Sequence, residues 1–576
     1  MAKHYGGEWF WAVGISLGTA LLVVAPFFVL GIASGHDFEF HAASWMDAAG
    51  QWKEGILLPR WTEWANHGFG EPRFIFYPPL SWMLGAALGS LIRWKLVPVV
   101  FIVLMQTAAG LCAFALGREV TTRGGALFAA ASYAANPYAL LVVYMRSDFA
   151  EQLATAFLPL LLLAGLRVSG ILRKKSADPA SRALLPVPGR DIAWFAVVFA
   201  LVWLSNAPAG VMASYSMALL FAWASLSGRS VLPGLRGAGG LALGLGLAAF
   251  YLLPAAFEQR WVNIEQALAS GLEPVQNFLF TAIDDPEHTL FNWIASGIAI
   301  LLMVLTGMAA LLSHPNAARE TTTSRDEEGR RAIWGAVLVL AAASTALMLG
   351  PSNIFWRFLP KLRFVQFPWR WMCVLAVAYT FFLACAFGRS RRAWILLAAV
   401  ALSSAATATL LVRQTWWDTE DLPTIRAAIA SSAGYDGTDE YDPRGDDHYD
   451  LPAKAPRAVI LNAEDAEDPG PEARVEIEKW TADEKQVRVS SPERARMALR
   501  LLDYPAWSIE VNGTRVAAEH PEGLAQILVP LAAGTSEVRV HFVRTADRTT
   551  GAGISLASLG ALLWLSAGRR AKTALA

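Results

Sequence analysis

The chain has 576 residues, 55% of them hydrophobic and only 17% charged, with a mean hydropathy of +0.38. A soluble domain carries about 25% charged residues, so most of this chain is built for lipid. Its 48 basic and 48 acidic residues cancel, which excludes the basic field of a nucleic-acid binder, and its three cysteines, Cys112, Cys373 and Cys385, all sit in apolar runs, which excludes a disulfide framework or a zinc spacing.

A bilayer core about 30 Å thick takes about 20 apolar residues per helix. On that measure helices are predicted over 9–33, 95–117, 124–143, 151–169, 192–206, 208–226, 237–256, 289–312, 332–350, 369–387, 393–411 and 551–568, twelve in all. The first run is preceded by one basic residue, Lys3, and its length suits a retained span better than a secretory signal. Asn206 and Pro208 interrupt the pair at 192–226. Residues 78–92 are apolar but short. They read as a juxtamembrane or re-entrant helix started by Pro78-Pro79, since proline suits a first helical turn. Leaving them out of the count puts the basic clusters on one side: Arg118 and Arg123, the runs within 173–190, Arg229 and Arg236, the runs within 319–331, 389–392 and 569–572. The positive-inside rule makes that side cytoplasmic, together with both termini. Loops 34–94, 144–151, 257–288 and 351–368 and the segment 412–549 then share the outer face.

Composition turns charged and polar over 412–549. Residues 412–470 are rich in Asp, Gly and Pro and read as an extended connector. Alternating strands follow at 474–480, 485–491, 496–503, 507–511, 514–518, 526–531 and 536–543, with Asn512-Gly513 as a two-residue hairpin turn. Several short strands with regular turns predict a small β-sandwich. The division is a transmembrane part at 1–411, the connector and sandwich at 412–549, and a last helix with its tail at 550–576. There is no heptad, Walker motif or nucleotide-binding glycine loop. The glycines at 237–246 lie inside a helix, where small residues let helices approach.

Three features on the outer face carry candidate chemistry. Asp37 follows the first span with His36, Glu39 and His41 around it. If a helix begins there, Asp37 and His41 share a face, and Trp45, Met46, Ala49 and Trp52 form an apolar stripe for the membrane interface. Asp37 reads either as the cap of that helix or as a catalytic carboxylate. The four polar residues could also gather a metal, although their spacing fits no template. Asp148 and Glu151, three apart at a helix start, are favoured there by the helix dipole, and two carboxylates can equally hold a divalent cation. Arg146 is placed to pair with one of them. Finally, Arg357, Lys361, Arg363 and Arg370 are basic residues on the wrong side of the positive-inside rule. They suit either general headgroup attraction or a specific lipid phosphate.

Together the stretches GHDFEFH, PRW, GFGEPRFIFYPPL, RSDFAE, QFPWRW, GYDGTDEYDP and YPAWSIEVNG resemble the GT-C class of integral-membrane glycosyltransferases. The nearer likeness is to bacterial YfhO-type proteins and to those labelled 6-pyruvoyl-tetrahydropterin-synthase-related. The resemblance implies a helical polytopic membrane fold with a C-terminal extracytoplasmic β-sandwich, in the bacterial inner membrane. It implies a polyprenyl-phosphate-linked sugar donor and a glycan, lipid or protein acceptor, with transfer by inversion. Asp37 would be the general base. Asp148, Glu151, His41 and Glu71 would orient the acceptor or a metal, with Arg73 beside Glu71. Arg370, Arg363, Lys361 and Arg357 would bind the lipid phosphate. Neither acidic loop carries an Asp-x-Asp pair, so a divalent cation is an open expectation. A transporter is disfavoured by the lack of charges at mid-depth in the helices and of an inverted repeat. A non-catalytic scaffold on the same fold stays open.

Overall fold

The computed structural model describes residues 2–172, 187–315, 324–445, 451–465, 468–521 and 523–567. The basic segments expected on the cytoplasmic side at 173–186, 316–323 and 568–576 lie outside the described residues. Among those described, ten helices are long and apolar enough to cross a membrane: Gly7–Leu30, Trp94–Val120, Arg123–Arg146, Phe149–Ser169, Ala207–Ser227, Pro286–Ser313, Gly329–Leu347, Pro368–Ala386, Arg391–Gln414 and Ala546–Ala567. Two of the twelve predicted helices depart from a plain crossing. Gly189–Ser205 has 17 residues, about 25 Å at the α-helical rise, and packs among the spans. The helix predicted at 237–256 is Leu232–Leu247 followed by Ala249–Trp261, bent by 76°, and makes an eleventh crossing if counted as one. The break has a cause. Ser555 Oγ of the last helix donates to the carbonyls of Gly246 (3.0 Å) and Leu247 (3.1 Å) and accepts from the Phe250 N–H (2.9 Å), so a side chain sits in the helical ladder.

Two shorter helices lie beside the spans. Pro79–Leu91 has 13 residues and starts at Pro78-Pro79 as expected. At about 20 Å it is too short to cross. It packs on Phe38–Lys53, where a Cβ on Gly85 would run into the Trp45 indole. The apolar stripe of Phe38–Lys53 was expected at the membrane interface, but it is core. Trp45 is fully buried, stacked on Phe101 with ring centroids 5.4 Å apart, and Met46 and Ala49 are buried beside it.

The polar C-terminal part forms strands where alternation predicts them, and two more. β1 (Ile32–Ala33) pairs with β2 (Trp417–Asp418), so the end of the first span is tied to the start of the polar segment. That segment is not simply extended, since it holds a ten-residue helix, Asp421–Ala430, and β3 (Ala458–Asn462). The remaining strands are β4 (Arg474–Trp480), β5 (Glu484–Ser491), β6 (Ala495–Leu502), β7 (Trp507–Val511), β8 (Thr514–Val516), β9 (Gln526–Leu531) and β10 (Gly534–Phe542). They form a five-stranded sheet, β4-β5-β10-β7-β8, and a three-stranded sheet, β3-β6-β9. The β7–β8 turn has φ of 50° at Asn512 and 77° at Gly513, the two left-handed residues that a tight hairpin needs. β3 lacks a clean alternation, four of its five residues being half-buried and only Val459 exposed, which is why pattern alone passes it over.

The sandwich core is completed from the first loop. Trp61, Phe69, Ile75 and Phe76 join Met497, Leu499, Tyr504, Trp507, Ile527 and Val529 in one apolar cluster. At the base, buried Glu258 accepts two hydrogen bonds from Arg548, both 2.7 Å, and one from Tyr504 at 2.6 Å. The sandwich is thus fixed over the mouth of the helical bundle.

Candidate functional site

The site begins where two loops zip together. The Gly35 N–H donates to Ser147 Oγ (3.0 Å), His36 N–H to the Met145 carbonyl (3.3 Å) and Asp37 N–H to the Arg146 carbonyl (2.9 Å). Only glycine fits at 35, because a Cβ would strike the main chain of Met145 and Arg146. Ser147, at a φ of 52°, ends the helical turn that carries Arg146, and Asp148 then caps the next helix, accepting from Glu151 N–H at 2.8 Å. Asp37 sits at the cap position of Phe38–Lys53 yet makes no side-chain cap hydrogen bond. Its carboxylate takes a hydrogen bond from Arg146 Nη2 instead.

Arg146 is the hub. Besides Asp37 it meets Asp148 Oδ2 at 3.2 Å and Glu151 Oε2 at 3.5 Å. Arg370 meets the same two residues, at 3.6 Å and 3.3 Å. The rings of Phe367 and Trp369 lie 5.5 Å and 5.2 Å from the Arg146 guanidinium. Tyr138 donates its hydroxyl to the other Glu151 oxygen. His41 stands 3.5 Å from Asp148 Oδ1. Burial works against the Asp148 charge, but His41 and Arg146 outweigh it and hold its carboxyl well below the usual carboxylate range. Burial, then the Arg146 charge, push the neighbouring His36 imidazole down, so it is neutral at pH 7. Exposure separates the three acids. The Asp37 side chain is 33% exposed, against 3% for Asp148 and none for Glu151.

Asp37 opens on a cavity of about 1260 Å³ between the bundle and the polar segment. One wall holds His36, Asp37, Arg146, Asp148 and Arg370. A second is apolar, with Trp203, Val211, Leu252 and Phe364. The third is the strap Gly434–Tyr441, part of the GYDGTDEYDP stretch. Burial pushes the Glu440 carboxyl on that wall up to about 7. Seven carboxylates line the cavity against four Lys and Arg side chains, so it is not a general anion trap.

The other predicted site residues scatter. His41 is buried behind Asp148. Glu71 is fully buried off the cavity wall, held by Arg73 Nε at 2.5 Å and by the Thr438 N–H at 2.8 Å, so it braces the strap. The basic quartet divides. Arg370 is 5% exposed and its charge faces Asp148 and Glu151. Arg363 pairs with Glu265 at 3.4 Å on the surface, and Arg357 is exposed. Lys361 lines the cavity and donates to Gln259 at 3.1 Å. Among the described residues it is the one lysine or arginine of the lining without a carboxylate partner.

The fit of a divalent cation can be judged from the acids. Asp37 Oδ2, Asp148 Oδ2 and Glu151 Oε2 all turn to Arg146. Among the described residues no group of three or more His, Cys, Asp or Glu is arranged to hold a metal ion. As arranged, these residues do not fit a metal. Sequence reasoning did not foresee the centrality of Arg146, or Tyr138, Lys361 as the free cation, and Glu440. One signal for Arg146 was present: it is an arginine on the expected outer side, against the positive-inside rule.

Fold and site define a multi-pass helical membrane protein with a β-sandwich seated over a polar cavity. No protein-family model matches the chain, and no curated protein matches it in sequence. Among solved structures it is similar to the arabinofuranosyltransferase AftD from Mycobacteria, with 16% identity and a TM-score of 0.41 over 69% of this chain and 27% of that one. It is also similar to the archaeal oligosaccharyltransferase AglB from Archaeoglobus fulgidus, solved with an inhibitory peptide and a dolichol-phosphate, with 14% identity and a TM-score of 0.41 over 74% and 56%. The chain thus spans about a quarter and just over half of those two proteins.

Proposed function

We propose that this chain is a membrane glycosyltransferase of the GT-C kind. It takes a sugar from a polyprenyl-phosphate-linked donor and transfers it to a hydroxyl of a glycan, lipid or protein acceptor. The reaction runs on the sandwich side, taken as the outer face of the bacterial inner membrane, with both termini cytoplasmic. One observation carries the reading: of the three acids gathered on Arg146, Asp37 is the one with substantial exposure on the cavity side, 33% against 3% for Asp148 and none for Glu151.

In this reaction the acceptor oxygen attacks the anomeric carbon from the face opposite the phosphate, while Asp37 takes its proton. The bond from that carbon to the phosphate oxygen breaks, and the configuration inverts. A carboxylate within hydrogen-bond reach of the hydroxyl suits the base. The leaving phosphate gains charge as the bond breaks, and a fixed cation there lowers the barrier. Lys361 takes this role ahead of Arg370, because its ammonium has no carboxylate to satisfy. The apolar wall of Trp203, Val211 and Leu252 beside it suits the first lipid units. A lining richer in carboxylates than in cations favours a monophosphate over a diphosphate. The strap, with Thr438 and Glu440, faces the acceptor side.

The test is Asp37→Asn in cells, with folding confirmed in detergent and the envelope glycans and lipid-linked sugars read by mass spectrometry. Unglycosylated acceptor should accumulate. An unchanged glycan profile would remove Asp37 as the base and favour a non-catalytic scaffold.

A further inference from the structure

Three carboxylate oxygens meet one guanidinium: those of Asp37 and Asp148 at Arg146 Nη2, that of Glu151 at Nη1. Convergent carboxylates are how a protein holds a hard divalent cation. Here the cation's place is filled by a side chain of the same chain. The Arg146 side chain is 4% exposed, and aromatic rings cover its guanidinium. Arginine keeps its charge at any physiological pH, and its planar fork suits several carboxylates at once. Arg370 backs Asp148 and Glu151 from a second direction. Of the three acids, Asp37 is the most exposed, on the side that opens to the cavity. Without Arg146, three acids would face one cation in a buried site, an arrangement that demands a replacement.

We propose that Arg146 is the resident cation of this site, standing where a divalent metal would otherwise bind, and that it positions Asp37 without any metal. The proposal rests on the transferase reading for its purpose, but its test needs no substrate. Arg146 is therefore a positioning residue, acting through Asp37.

The full chain in detergent is titrated with Mn²⁺ and followed by electron paramagnetic resonance. The wild type should show no Mn²⁺ site that depends on Asp148. Arg146→Gln should gain one, binding Mn²⁺ at least tenfold more tightly than any residual binding to the wild type, and Arg146→Gln/Asp148→Asn should lose it again. Arg146→Lys keeps a cation in place and should stay like the wild type. A wild-type Mn²⁺ site abolished by Asp148→Asn would overturn the proposal, as would a folded Arg146→Gln that gains no affinity. If Arg146→Gln fails to fold, the wild-type, Asp148→Asn and Arg146→Lys titrations still decide, a site gained in Arg146→Lys counting against the proposal. Failure of the transferase reading would appear separately, as an unchanged glycan profile in Asp37→Asn with these titrations unaffected.

Discussion

Asp37 starts the helix Phe38–Lys53 without capping it, and that separates it from Asp148, which does cap its helix. The difference predicts different mutants. Asp37→Asn should cut transfer by about 10²- to 10⁴-fold, the usual worth of a general base, with little change in melting temperature, because the side chain is one-third open to the cavity. Glu151→Gln should instead melt early, by about 3 kcal/mol of lost stability in denaturant titration, since it disrupts the buried contacts to Tyr138, Arg146 and Arg370. Asp47 shows burial outweighing its hydrogen bonds. It accepts from Gln51 Nε2 (2.7 Å), Trp64 N–H (3.1 Å) and Tyr435 OH (3.1 Å), yet burial outweighs these bonds and pushes its carboxyl from 3.8 up to about 6. Between those values the folded state holds a proton that the unfolded state has lost, so stability falls as pH rises through this window and levels off above it. Wild-type stability in detergent should therefore fall from pH 4 to pH 6.5 by an amount on the order of 2 kcal/mol, seen as a lower melting temperature. Asp47→Asn should make that slope shallower, leaving the part due to Glu440, and an unchanged slope would place the titration elsewhere.

Elements put the acids together. The Gly35–Asp37 strip hydrogen-bonds along Met145–Ser147 and sets Asp37 against Arg146 across 109 residues of sequence. Gly35→Ala should force the two loops apart, because its Cβ has main chain on the far side and no flexible side chain to displace. A displacement near 1 Å at a reacting group costs about 10²-fold in rate, so Gly35→Ala should lower transfer strongly while Asp37 itself stays. The glycan profile and the melting curve report the two effects separately. Hydropathy and helix-start signals were enough to place the spans. They could not show that Ser555 enters the ladder at Ala248, because that depends on what packs alongside.

On the scale of the whole molecule, the sandwich and the bundle are one construction. Trp61 and Phe69 of the first loop enter the sandwich core, and Glu258 of the bent helix grips Arg548 and Tyr504. Glu258→Gln weakens the grip on a buried guanidinium. The sandwich should then become more sensitive to limited proteolysis, with the melting temperature falling by several degrees; wild-type protease resistance would mean that the apolar cluster alone holds it. Topology has its own check. With Cys112, Cys373 and Cys385 inside or among the spans, Glu493→Cys on the sandwich should react with an impermeant thiol reagent in intact cells. Ser227→Cys, at the far end of Ala207–Ser227, should not. Labelling at Ser227→Cys would reverse the orientation.

By itself the sequence determined what is local and periodic. Apolar runs long enough for a bilayer give the spans, alternation gives seven strands, Asn512-Gly513 gives the hairpin, and Pro78-Pro79 gives the short helix, because each depends on neighbours within a few residues. It also marked Asp37, Asp148 and Glu151 as acids at helix starts. Only the tertiary structure decided what those acids do. Whether Asp37 caps or pairs, whether Trp45 meets lipid or core, and whether Arg370 or Lys361 is free for a phosphate all turn on partners distant in sequence. Charge in a buried site is settled by every group that faces it, and the guanidinium that settles it here is Arg146.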